Sequence, residues 1–188
     1  MFNTINTPTL IAITIITWVT CFSLYYKDIY KNGVVLWTGI VAFMIMYHFW
    51  IRIIMGNVTK LFQKHINYNG WWFKERKFEK GLYKLLRVKE WKGKALTYNP
   101  ELFSLKEYSL EKIANTMTKA EVDHWINEII SITTMLFTIP WGAFWVFLIQ
   151  AIVAMIFDSQ FIIIQRYNRP RIVRILEREK NEKQIILS

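Results

Sequence analysis

The sequence predicts an all-α integral membrane protein. About four membrane helices are expected, the last two forming a hairpin, together with a cytoplasmic amphipathic, interfacial helical segment. Three observations carry this reading. Hydrophobic residues make up 53% of the 188 positions. Three long stretches, Thr9–Tyr26, Gly33–Trp50 and Ile129–Phe157, contain no Lys, Arg, Asp or Glu. The formal net charge of +10 comes from basic residues lying mostly between and after those stretches. An excess of basic residues suits nucleic acid or an anionic membrane surface, and the apolar runs decide for the membrane.

The first span is 9–26, TLIAITIITWVTCFSLYY. No Lys or Arg precedes it and no small-x-small site follows it, so it reads as a retained helix rather than a cleaved signal. The second span is 33–54, opening with GVVLWTGIVAFMIMYHFW. At 1.5 Å per residue, each is long enough for a hydrocarbon core of about 30 Å. Cys21 is the single cysteine, so no disulfide can form within the chain.

Residues 56–120 form the interfacial segment. In NGWWFKERKFEKGLYKLLRVKEWKGKAL, Trp71, Trp72, Phe73, Phe78, Tyr83 and Trp91 alternate with Lys and Arg, and Leu82, Leu85 and Leu86 fit helical spacing. Aromatic rings at headgroup level with snorkelling cations describe a helix lying on anionic lipid. No nucleic-acid-binding motif is visible, and membrane orientation accounts for the basic residues. NPELF at Asn99–Phe103 reads as a loop. LEKIANTMTKAEVDHWINEI, Leu110–Ile129, reads as one helix entering the membrane.

The apolar run beginning at Ile129 is too long for one straight helix. Pro140-Trp141-Gly142 lies inside it as a turn or kink signal, dividing it into helices over 125–139 and 141–165 that span or re-enter. Residues 166–188 form a basic tail, with Pro170 expected to stop the preceding helix.

Charge sets orientation. Fourteen Lys or Arg lie between Gly56 and Lys119 inclusive and seven after Gln165, but only Lys27 and Lys31 lie between the first two spans. The positive-inside rule places the central segment, the tail and the N-terminus in the cytoplasm. An even number of crossings between segment and tail agrees with a hairpin.

Two groups of residues carry the candidate chemistry. Glu121, His124 and Glu128 are spaced i, i+3, i+7 and share a helical face, with Asn127 beside it. A histidine flanked by carboxylates has its tautomer fixed and suits a general base, here oriented by Glu121. Such polar groups on a segment entering lipid need water, the bundle interior or a partner. The second group is QRYNRPR, Gln165–Arg171, which the hairpin returns to the membrane face of His124. Arg166 and Arg169 could hold an acyl donor or a developing oxyanion, and Tyr167 and Asn168 could supply hydrogen bonds. A positive-inside anchor needs the arginines but has no use for Tyr167 and Asn168. No metal is expected: a carboxylate-bridged site needs a second Glu-x-x-His, and no cysteine ligands are available. No nucleotide or phosphate-loop signature is present, and no cofactor is expected.

KAEVDHWI at Lys119–Ile126, the apolar hairpin and QRYNRPR, with Trp91-Lys92 and the Lys/aromatic stretch before them, resemble the glycosyl-4,4'-diaponeurosporenoate acyltransferase family over Phe73–Leu176. Departures are Lys119 in place of a frequent Arg, Asp158-Ser159-Gln160 in place of an Asn- and Pro-containing break, and two N-terminal helices in place of one. The resemblance implies O-acyl transfer from an activated fatty acyl donor, with acyl-CoA a candidate, to a hydroxyl of a lipid-linked, glycosylated, carotenoid-like acceptor. It places Glu121 and His124 on the family's Glu-x-x-His and Arg166, Asn168 and Arg169 on its terminal motif, with Trp91, Lys92, Tyr167 and Glu128 completing the expected site. The alternatives are a non-catalytic membrane interaction or immunity-type protein, in which these residues tie the hairpin together, and another lipid-modifying transferase on the same scaffold.

The charge bias gives a direct expectation. Single cysteines replacing Lys60, Lys94 and Arg178, in a Cys21→Ser background, should all escape an impermeant thiol reagent added to intact cells. Labelling at position 94 but not at 178 would refute the even crossing count.

Overall fold

A computed structural model of the protein describes residues 7–94, 104 and 106–187. The loop expected at Asn99–Phe103 lies outside them. Among the described residues there is no strand. The helices are α1 (Thr7–Tyr26), α2 (Gly33–Phe62), α3 (Glu79–Leu85), α4 (Val88–Trp91), α5 (Leu110–Thr133), α6 (Thr138–Trp141) and α7 (Phe144–Leu187). Single 3₁₀ turns lie at Gln63–His65, Trp71–Phe73, Lys92–Lys94 and Thr134–Phe137. By length and composition, α1, α2 and α7 can each cross a membrane.

The chain divides into two compact units, one of residues 1–56 and 129–155 and the other of 57–128 and 156–188. The first unit holds only four formally charged side chains, Lys27, Asp28, Lys31 and Arg52. Its core is Ile40, Met44 and Phe147, packed by Phe22, Phe43, Phe137 and Trp141. Its outer surface is also apolar: Ile13, Ile16, Val34, Ile139 and Trp145 are all more than half exposed. A unit with so few charges that is apolar both inside and outside is built for a hydrocarbon solvent.

The fourth apolar piece is shorter and broken. The helix expected over 125–139 is the last part of α5, a 3₁₀ turn and the start of α6. Two hydroxyls lie at the break. Thr133 Oγ1 donates to the Ile130 carbonyl at 2.7 Å and Thr134 Oγ1 to the Ser131 carbonyl at 2.6 Å, competing with the helical ladder. Gly142 then takes φ +70°, which glycine adopts without strain, and α7 starts at Phe144.

The second unit contains a small core of Tyr68, Ala114 and Leu176 with Leu110, Ile172 and Val173 against it. One sequence expectation is corrected here. Residues 166–188 are not a separate tail, because α7 continues to Leu187 with Pro170 inside it. Pro170 lacks the N–H that would bond the Arg166 carbonyl, a defect worth about 3 kcal/mol in an unsupported helix. Burial of Ile172, Val173 and Leu176 against Tyr68 and Ala114, one turn further on, offsets that defect. Within residues 56–120, α2 continues to Phe62 and α5 begins at Leu110.

Gly39 supplies a sharp test of the first unit's packing. A Cβ there would lie 2.6 Å and 2.7 Å from ring carbons of Phe22 and 3.0 Å from Cβ of Cys21. Gly39→Ala should destabilise the detergent-purified protein by about 1–3 kcal/mol. Phe22→Leu combined with Gly39→Ala should cost less than the two single changes added. Strict additivity in thermal or denaturant unfolding would show that the contact is not what makes glycine necessary.

Candidate functional site

The polar side chains of α5 and α7 meet inside the second unit. The earlier part of α5 meets the later part of α7 and the later part meets the earlier: Glu121 contacts Arg169 and Arg166, whereas His124 contacts Asp158 and Glu128 contacts Ser159. The two helices therefore run antiparallel here.

The deepest part is a charge cluster. Glu121 is fully buried and Arg169 is 1% exposed. Arg169 Nη1 donates to Glu121 Oε2 at 2.5 Å, and its Nη2 to the Phe73 carbonyl at 2.7 Å. Arg166 Nη1 donates to Glu121 Oε1 at 2.7 Å and to the Trp72 carbonyl at 3.2 Å. Its Nε donates to Glu79 Oε1 at 2.8 Å, and Nη2 bonds Glu79 and the Lys74 carbonyl. All five N–H donors of Arg166 are engaged. The two guanidinium groups thus hold the 72–74 backbone, α3 and α5 on α7. Tyr83 Oη completes the cluster with a bond to Glu79 Oε2 at 2.9 Å. Burial, and then this bond to a carboxylate, push the Tyr83 hydroxyl well above its usual range, so it stays protonated and a donor.

His124 is not oriented by Glu121, as its spacing suggested. Both oxygens of Glu121 are taken by the arginines. His124 Nδ1 lies 2.8 Å from Oδ1 of Asp158, which is fully buried. The imidazole stacks on Phe161 with centroids 4.6 Å apart and planes at 7°. Asn127 Nδ2 reaches the same Asp158 oxygen at 3.4 Å, and Ser159 Oγ donates to Glu128 Oε1 at 2.5 Å.

Of the remaining expected residues, Lys92, Tyr167 and Asn168 come together. Lys92 Nζ donates to Asn168 Oδ1 at 2.7 Å and lies 4.7 Å over the Tyr167 ring. Trp91 does not join them, and its Nε1 donates locally to the Leu86 carbonyl at 2.8 Å. Sequence reasoning missed Glu79, Asp158 and Ser159 as site residues. Asp158 did carry a signal: it is the one charged residue between Glu128 and Arg166, and an ionisable group in an apolar run points to a site. A cavity of about 250 Å³ opens beside this face, with Phe78, Leu82, Trp125, Ile162 and Ile163 on its walls and Glu128, Ser159 and Arg166 at its polar edge. Among the described residues, no three His, Cys, Asp or Glu side chains converge as metal ligands.

The charge cluster makes a structural prediction. Arg169→Leu removes a buried partner of Glu121 and should destabilise the protein by about 3–5 kcal/mol. Arg169→Lys should recover only part of this, because one ammonium lacks the fork that reaches both Glu121 and the Phe73 carbonyl. Arg178→Lys, on the exposed end of α7, should unfold like the parent. Unchanged denaturant midpoints in both Arg169 variants would show that the cluster does not hold the fold.

No curated protein and no solved structure matches the chain. Residues 69–178, more than half of the chain, match the family model for glycosyl-4,4'-diaponeurosporenoate acyltransferase. The matched stretch contains both the Arg–Glu cluster and the His124–Asp158 pair, and the chain belongs to this family.

Proposed function

We propose that this protein is a membrane O-acyltransferase that moves a fatty acyl group from an activated donor to a hydroxyl of a lipid-linked acceptor, with His124 as general base. The acceptor is taken to be a glycosylated carotenoid-like lipid, as the family description suggests. The observation that carries the reading is the 2.8 Å contact between His124 Nδ1 and the buried Asp158 carboxylate. An ionised Asp158 can only accept, so Nδ1 carries the proton and Nε2 is the basic nitrogen. Nε2 takes the proton of the acceptor hydroxyl as its oxygen attacks the donor carbonyl carbon. The tetrahedral intermediate then collapses with loss of the donor's leaving group, which the imidazolium protonates. Stacking on Phe161 restrains the ring throughout. The apolar cavity beside Glu128 and Ser159 is suited to an acyl chain.

Arg166 and Arg169 take a different role in this reading from that of donor ligands. Their donors are committed to Glu79, Glu121 and backbone carbonyls, so they set the positions of His124 and Asp158. The same saturation favours a second reading, in which the whole polar network is structural and the protein is a non-catalytic membrane component. For location, we take the central segment and the end of α7 to be cytoplasmic, against an anionic lipid surface, from the basic bias alone.

The two readings part at His124 and Asp158. His124→Gln and Asp158→Asn should accumulate as monodisperse, inserted protein at near-parent levels, while product per folded molecule drops about 10²-fold or more. Product would be followed by lipid mass spectrometry with a supplied acyl donor. Variants that are folded and fully active would eliminate the base and leave the structural reading.

A further inference from the structure

The strongest unexplained feature lies on the other side of Tyr83 from the apolar cavity. A cavity of about 450 Å³ opens between α3–α4 and α7. Six cations line it: Lys80, Lys84, Arg87 and Lys89 from the α3–α4 segment, and Arg171 and Arg174 from α7. Only two carboxylates, Glu75 and Glu90, accompany them. Among the described residues, no ion pair joins any of the six to a carboxylate. Six like charges around one concavity repel one another, and the field they make concentrates anions. The opposite holds one turn away, where Arg166 and Arg169 are fully matched by Glu79 and Glu121.

All six cations are exposed, and two further observations set this concavity apart from an ordinary charged surface. The α7 cations are held in place: Arg171 Nη2 donates to Tyr167 Oη at 2.7 Å with its guanidinium 4.4 Å over that ring, and Arg174 Nε donates to the Pro170 carbonyl at 3.0 Å. Arg87 occupies left-handed backbone, φ 48° and ψ 40°, at the junction of α3 and α4. Glycine or asparagine would take that turn with less strain. The only other described non-glycine residue at positive φ is Asp28, a residue type that tolerates it. A strained arginine in the wall of a cationic cavity indicates that its side chain is wanted there.

The geometry points to a phosphate-binding site, and we assign to it the phosphates of the activated acyl donor, a nucleotide thioester. The volume falls in the range of small-molecule sites. The excess of about four positive charges matches a diphosphate plus a monophosphate, which together carry roughly four negative charges. Tyr83 also lines the apolar cavity, so the charged and fatty ends of one donor would lie on neighbouring surfaces. The assignment rests on the acyl-transfer reading for its ligand, while the phosphate site itself does not.

The test is a titration of full-length protein in phosphatidylcholine nanodiscs with coenzyme A, alongside native mass spectrometry of protein in discs containing phosphatidylglycerol. Coenzyme A should bind the parent, and Arg87→Gly and the double variant Lys84→Gln/Arg171→Gln should each bind it at least about tenfold more weakly. Arg87→Gly should melt no lower than the parent, because glycine relieves the backbone; lost affinity with retained stability is not what a structural arginine would give. His124→Gln should bind coenzyme A as the parent does, so a failure of the catalytic reading and a failure of this site give different results. Phosphatidylglycerol retained by the parent and lost by the same variants, with no coenzyme A binding, would keep the phosphate site and give it to a lipid headgroup. Parent and variants that bind both probes equally, or neither, would overturn the site.

Discussion

The structure depends on one buried carboxylate. Glu121 has no exposed surface and is held by two arginines from a helix 45 residues or more away in sequence. A carboxylate moved out of water without partners would cost several kcal/mol even after relaxation. That cost makes the register of α5 on α7 close to all-or-none. Sliding the helices by one turn would leave Glu121 and Arg169 buried and unmatched. The same arginines reach the carbonyls of Trp72, Phe73 and Lys74 and the carboxylate of Glu79. One cluster therefore positions α3, the 72–74 turn, α5 and α7. The His124–Asp158 contact follows from it, about one turn further along α5 and two to three turns back along α7.

Charge is partitioned sharply along the chain. The unit formed by 1–56 and 129–155 has four formally charged side chains, and its helices are faced with Ile, Val, Phe and Trp. Its core is packed by aromatic rings, with Trp141 and Phe147 stacked at 5.8 Å and Phe43 edge-on to Trp141 at 5.0 Å. Where the solvent is as apolar as the side chains, such shape-specific contacts replace the hydrophobic effect as the source of packing. The unit formed by 57–128 and 156–188 is held instead by ion pairs, hydrogen bonds and a small apolar cluster. Its Trp71, Trp72, Phe78 and Leu85 are exposed among lysines and arginines.

Much of this was legible in the sequence, for physical reasons. Uncharged runs of 18 residues can hardly be anything but membrane helices, and α1 and α2 begin within two residues of where those runs begin. Glu121, His124 and Glu128 had to share a face because helical spacing requires it. What spacing cannot supply is the partner of each. Glu121 is three residues from His124, but the arginines of α7 outcompete the imidazole for its oxygens. Asp158, 34 residues from His124, takes the imidazole instead. Asp158 was read only as a departure from the family pattern, because side-chain partners across two helices are set by register and not by composition. Pro170 misled for a related reason: the rule that proline ends a helix describes an unsupported helix, and here packing of Ile172, Val173 and Leu176 carries the chain through.

Asp158 and Glu121 are both fully buried, yet they differ in what opposes them. Glu121 faces two permanent cations, an arrangement that can do little but hold. Asp158 faces an imidazole, the one side-chain type that gains and loses a proton near neutral pH without perturbation. A purely structural network would gain more from a third arginine, or from no charge at all, since buried ion pairs are often replaceable by apolar residues without loss of stability. An aspartate in an otherwise uncharged stretch of α7, opposite a histidine stacked on Phe161, is costly for folding. The helix pair therefore carries two different contacts: at one end a carboxylate held between two guanidinium groups, which sets the register, and at the other a carboxylate against an imidazole.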